Sequence, residues 1–167
     1  RLAYVDVRML NTPNIGLEQC HQQIVFMADS VKKMLGMLRK MIDEGKPDPE
    51  QERKLFHREE ILDNVQKEVT EFLGKLLSER VTRDAVEEAQ KQLRMADEYE
   101  SASDCIVNVL KMLMKLRKNN LPVSPEAREE LLDLHDRTTE YIDAVSQAVT
   151  AHETEILAKV QPQGREV

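Results

Sequence analysis

The apolar residues of this chain recur at alternating intervals of three and four. From Leu17 one row runs through Cys20, Ile24, Met27, Val31, Met34, Leu38 and Met41. That interval follows the turn of an α-helix and stacks these side chains on one face, which must be buried against another element. A second row is Leu55, Leu62, Val65, Val69, Phe72 and Leu76. A third passes through Val86, Ala89, Leu93 and Ala96, then Val107, Leu110 and Met114. A fourth passes through Leu131, Leu134, Ile142, Val145, Val149 and Ile156.

The breaks between the rows carry helix punctuation. Gly45 and Pro47 close the first, and Asp48 with Pro49 caps and opens the second. Thr82 caps the third, Asn119, Asn120 and Pro122 interrupt, and Ser124 with Pro125 opens the fourth. Helices are therefore expected over about 17–44, 49–78, 83–119 and 125–160, each about 45–55 Å long. Links this short force neighbours to run antiparallel. The fold class is all-α, an antiparallel up-down bundle of about four long helices. Residues 1–16 read as an extended lead-in with a strand-like patch at Tyr4, Val5 and Val7, residues 17–160 as the bundle, and 161–167 as a frayed tail.

Composition agrees: aromatics are 4%, charged residues 33%, and there are five Gly and no Trp. The net charge is −7 and basic residues are dispersed among acids, so nucleic acid is not an expected partner. No window is long and apolar enough for a membrane span, and no signal peptide is visible. A chain that opens on Arg1 reads as a piece of a longer protein, whose membrane part lies elsewhere. Cys20 and Cys105 sit in apolar helical stretches and read as buried, reduced thiols in a cytoplasmic setting.

No nucleophile elbow and no Gly-rich phosphate loop occurs, so the chain is not expected to be an enzyme. His21, His57, His135 and His152 are scattered and read as surface or half-buried residues, not as ligands of a ferritin-like oxidase. Gly36 and Gly74, inside helices, read as positions of close packing. The methionines read as core filler.

One feature breaks the apolar pattern. Continuing the third row past Ala96 puts Glu100 and Ser103 at core-facing positions, with Asp104 one turn after Glu100. In the second row the position between Leu55 and Leu62 is Glu59, with Asp63 one turn later. If the turn between Ser78 and Arg83 sets the antiparallel register, Glu59 comes level with position 102 and Asp63 with position 98. Four carboxylates from two helices then meet at one height. Grouped carboxylates repel and lose hydration, and a hard cation with oxygen ligands removes that cost. All-oxygen ligation points to Mg, Mn, Ca or iron before Cu or structural Zn. The alternative is that the acids are solvated or paired with Arg58, Arg94 or Lys67. Asp136, Glu140 and Asp143 fall near the same height and are read as solvated.

These residues also carry a resemblance. The run from Met95 through Ala96, Asp97, Glu100 and Asp104 to Asn108 resembles the signature helix of the PhoU family, close to Ala-Asp-x-x-Glu-Arg-Ile-Gly-Asp-x-x-x-Asn. Glu59 to Asp63 and Glu68 to Leu73 are similar to the helix before it, and Leu17 to Met41 to the first helix. The lead-in, Tyr4-Val-Asp-Val-Arg-Met-Leu-Asn-Thr-Pro13, is similar to the junction after the last membrane helix of bacterial sodium/phosphate cotransporters, which carry a PhoU-like domain at their C-terminal end. Ser101 and Ser103 depart from the signature's Arg and Gly, and Gln23 from a frequent Glu. The second three-helix repeat of a full PhoU protein is represented by one helix.

The resemblance implies a three-helix repeat plus an added helix, with metal held by Glu59, Asp63, Glu100 and Asp104. The metal would be divalent or trivalent, Mg, Mn or Fe first, with Zn a further candidate. It implies regulation of phosphate uptake at the cytoplasmic side of the inner membrane, with the membrane transporter part of the same protein as partner. A bundle with one repeat incomplete leaves apolar surface, so a homo-oligomer is also expected. The other reading is a metal-free helical adaptor or oligomerisation domain that binds partner helices.

Overall fold

The computed structural model describes residues 13–150. The expectations for Tyr4, Val5 and Val7, for Ile156 and His152, and for the tail lie outside them. Four helices follow in order: α1 (Pro13–Glu44), α2 (Pro49–Leu77), α3 (Arg83–Lys118) and α4 (Pro125–Thr150). No strand occurs among the described residues, and the all-α bundle stands.

The starts follow from capping. Asp48 accepts from the Gln51 amide at 3.0 Å, Thr82 from Ala85 at 3.3 Å, and Ser124 from Ala127 at 3.1 Å. Each satisfies an amide that has no partner within its helix. α1 begins at Pro13 rather than at Leu17. Proline lacks only an amide that the first turn leaves unpaired anyway, so it opens the helix instead of preceding it. Left-handed residues close two helices, Gly45 at φ 61° after α1 and Asn120 at φ 54° after α3.

α1 is the central helix: it packs against α2, α3 and α4. Every member of its expected row is buried, as is every member of the α2 row. The core rows meet in one cluster with Leu55, Leu62, Leu73, Leu76 and Leu110 at 0% exposure, so the three helices α1–α3 form the closed part of the bundle.

The last two rows need correction. In α3 Ala89, Ala96, Ser103, Val107 and Leu110 are buried as expected, and Ala85, Gln92, Tyr99 and Ile106 join them. Val86 and Leu93 are only half-buried, and Tyr99 takes the core place expected for Glu100. An aromatic ring fills that volume while its hydroxyl finds Ser146 Oγ at 3.0 Å. In α4 only His135, Ala148 and Val149 are buried, and Leu134 is 45% exposed. The cause is one-sided packing: α4 rests on α1 and scarcely touches α3.

Other readings change with the side chains in view. Cys20 is buried, and burial pushes its thiol up to about 12. Cys105 is exposed, because it lies one position before the buried Ile106 on the flank that α4 leaves open. A Cβ added at Gly36 or Gly74 would meet nothing within 4 Å, so both face solvent instead of a close neighbour. Met27, Met34 and Met41 are core, whereas Met112 is 67% exposed.

Candidate carboxylate site between two helices

α2 and α3 are joined by a tight turn, and their pairing can be read from bonds on either side of the acids. Gln66 Nε2 donates to Asp97 Oδ1 at 2.6 Å. Toward the far end, the Arg117 guanidinium pairs with the buried Glu52 carboxylate. Between these two fixed points lie Glu59 and Asp63 on α2 and Glu100 and Asp104 on α3. Glu59 and Asp104 are close enough to share a hydrogen bond when one of them holds a proton. Glu100 feels the charges of both Asp104 and Asp63. The facing partner of Glu59 is thus Asp104 rather than position 102, a slip of half a helical turn from the register that the turn alone sets.

Glu59 and Asp63 lie on the half-buried edge of α2 beside the fully buried Leu62, and Glu100 holds the same kind of edge on α3. The core therefore fixes the height of the acids while leaving their oxygens toward solvent. Burial first, then Asp104, raises Glu59 from its ordinary value. Burial, then repulsion from Asp104 and Asp63, raises Glu100.

Two lysines partly offset the charge. Lys67 Nζ lies 2.6 Å from Asp63 Oδ2, and that bond, with the pull of Glu100 and Glu59, raises the lysine. Lys111 opposes the rise of Glu59. Of the three pairing partners named above, Lys67 is thus the one that engages. Lys111 was missed, although it lies two turns beyond Asp104 on the same face of α3, where any charge would look into the site.

The two departures from the signature act on Glu100. Ser101 hydrogen-bonds its carboxylate, and Ser103, fully buried, donates to its backbone oxygen at 2.8 Å. Two of these four carboxylates, Glu59 and Glu100, are disfavoured as anions, and carboxylate oxygens are the donors a hard cation takes. Among the described residues no three His, Cys, Asp or Glu converge as they would on a bound ion, and Asp63 is turned to Lys67.

The acids on α4 do something else. Asp136 is held by Arg39, and Asp143 by Lys32 at 3.1 Å, so both pair with α1 rather than stand solvated. His21 and His135 are buried, contrary to expectation. His135 Nε2 donates to the Leu35 carbonyl at 3.0 Å and Nδ1 lies 3.1 Å from Asp136 Oδ1, which explains its place inside. His57 is exposed beside Glu60. Glu18 stands three residues before His21, the spacing used by di-iron bundles, but Glu18 is exposed while His21 is buried.

No helix of the described residues is long and apolar enough to cross a membrane. A family model described as the PhoU domain matches residues 24–113, more than half of the chain and the whole stretch that holds the four acids. No curated protein and no solved structure matches the chain.

Proposed function

Since the chain belongs to the PhoU domain family, we propose that it is a regulatory, non-catalytic domain that controls phosphate uptake through metal-dependent pairing of α2 and α3. The observation that supports this is that Asp104 on α3 raises Glu59 on α2, and that Asp63 on α2 raises Glu100 on α3. Glu59 with Asp104, and Asp63 with Glu100, would hold the ion. A bound cation supplies the positive charge that these acids lack. The chain's own part is mechanical. The rigid core beside Leu62 sets the acids at one height, and Lys67 releases Asp63 when the ion arrives. The occupied and empty states then differ in how tightly α2 and α3 are tied, which is the differential a regulator needs.

The lead-in, Tyr4 to Pro13, supports the finer reading that the domain is the C-terminal part of a sodium/phosphate cotransporter. In that setting it works at the cytoplasmic side of the inner membrane, and its partner is the transporter part of the same protein.

The metal-free adaptor stays as the second reading, favoured by the Lys67–Asp63 pair, which already neutralises one acid. Elemental analysis of the purified chain, beside Glu100→Gln and Asp104→Asn, decides between them. Stoichiometric Mg, Mn or Fe lost in both variants supports the metal site. A metal-free parent whose melting temperature ignores added divalent ions leaves the adaptor. Phosphate uptake by cells carrying the same variants tests the regulatory role separately.

A further inference from the structure

Where the ends of α1 and α3 meet the start of α4, the chain forms a half-enclosed cavity of about 170 Å³. About 150 Å³ is enough to take a benzene ring. Of its twelve lining residues nine are apolar, among them Met41, Leu110, Leu113 and Leu131, and one is Gly45. The other two are Arg117 and Arg128, and no acid lines it among the described residues. The two arginines differ in what they already hold. Arg117 is matched by the Glu52 carboxylate. Arg128 has no carboxylate partner among the described residues, where its one hydrogen bond runs from Nη1 to the Asp43 carbonyl at 3.4 Å. A guanidinium carries five N–H donors, so most of this fork is unused.

The guanidinium is also set in place. A Cβ built on Gly45 would stand 2.6 Å from Arg128 Nη2 and 3.0 Å from its Cζ, so the missing side chain is the space in which the guanidinium rests. Arg128 lies in the first turn of α4, the helix end that disfavours a positive side chain and favours an anion. Its single long bond to α1 does little to offset that placement, and an anion in the cavity would. We propose that this cavity binds a small apolar monocarboxylate, its apolar body among the leucines and its carboxylate on Arg128. The charge sets the class: one unmatched cation takes one negative charge, and a carboxylate accepts the two parallel bonds that a guanidinium offers. The volume sets the body at about the size of a benzene ring. The apolar wall turns away strongly hydrated anions, which lose water there and gain no burial. The ligand touches α1, α3 and α4 together and so holds α4 against the rest of the bundle. None of the four acids between α2 and α3 lines the cavity, so the proposal stands apart from the metal reading.

The test is a titration of the isotope-labelled 167-residue chain with benzoate and with hexanoate at neutral pH, followed through its backbone amide and arginine Nε–H resonances. Expected is saturable binding of at least one acid with a Kd of about 0.1–1 mM, the shifts centred on Gly45, Leu121 and Arg128. Benzamide, the neutral counterpart of benzoate, should bind at least about tenfold more weakly. Inorganic phosphate should do the same, since the apolar wall strips its water. Arg128→Gln should weaken the acids by about tenfold or more and leave benzamide unchanged. No saturation by either acid up to about 20 mM overturns the proposal. So does benzamide or phosphate that binds as tightly as the acids, because the guanidinium or the apolar wall then plays no part. Shifts centred away from this cavity overturn it as well. The wild-type readings decide even if the variant fails to fold.

Discussion

Arg39 grips Asp136 through two parallel hydrogen bonds, Nε to Oδ1 at 2.8 Å and Nη2 to Oδ2 at 2.9 Å, and so ties α4 to α1. The guanidinium, aided by His135, holds the Asp136 carboxyl down at about 2. A carboxylate depressed in the folded state adds stability above its unfolded value, and that stability is lost as pH falls through the folded value. Asp136→Asn should therefore lower the melting temperature at pH 7 by about 1–3 °C, a modest effect because the pair is half-exposed. The difference between parent and variant should shrink between about pH 4 and pH 2, as thermal melts across that range will read out.

The carboxylate site predicts the opposite sign. An acid raised in the folded state costs stability once it ionises, so the cost is absent in acid and grows as pH rises through the raised value. Glu59→Gln removes both the ionisation and the repulsion from Asp104. In metal-free solution at pH 7 it should raise the melting temperature by about 1–3 °C, an advantage that vanishes near pH 3. On adding Mg or Mn the parent should gain stability and the variant should not. A variant that melts lower than the parent without metal would show that the acids do not repel.

Gly36 and Gly74 sit in helices with open space where a side chain would go. Alanine there lowers the backbone entropy of the unfolded chain and clashes with nothing. Gly36→Ala and Gly74→Ala should each stabilise by about 0.5–1 kcal/mol in urea denaturation, and the double variant by the sum.

Leu62 is fully buried between Glu59 and Asp63 on the same helix. Leu62→Ala should cost about 2–5 kcal/mol in the same assay. It should also weaken any metal response, because the packing that sets the height of the two acids is lost.

The α1 and α2 rows could be read from the sequence because each helix is enclosed and its apolar period has a single buried solution. The approach of Glu59 to Asp104 and of Asp63 to Glu100 was legible because an antiparallel turn fixes which residues come level. The half-turn slip was not, since it appears only in bonds between the helices such as Gln66 to Asp97. α4 was misread at Leu134 and His135 for a different reason. Periodicity reports that a helix has an apolar face but not how much of that face is covered, and α4 packs mainly on α1. The same ambiguity hid the exposure of Cys105. The Arg39–Asp136–His135 cluster was invisible because it depends on the pairing of α1 with α4, which no short turn sets.

The unequal burial of the helices has a consequence for how the protein comes apart. α1 has fourteen buried residues, while α4 has three among its described residues and otherwise packs on the core through the partly buried Leu131, Leu132, Ile142 and Val145. Its backbone amides should therefore exchange with deuterium through openings that leave α1–α3 intact, at a lower free energy than whole-molecule unfolding. The described helices should then open in two steps, the outer helix α4 before the three-helix kernel α1–α3.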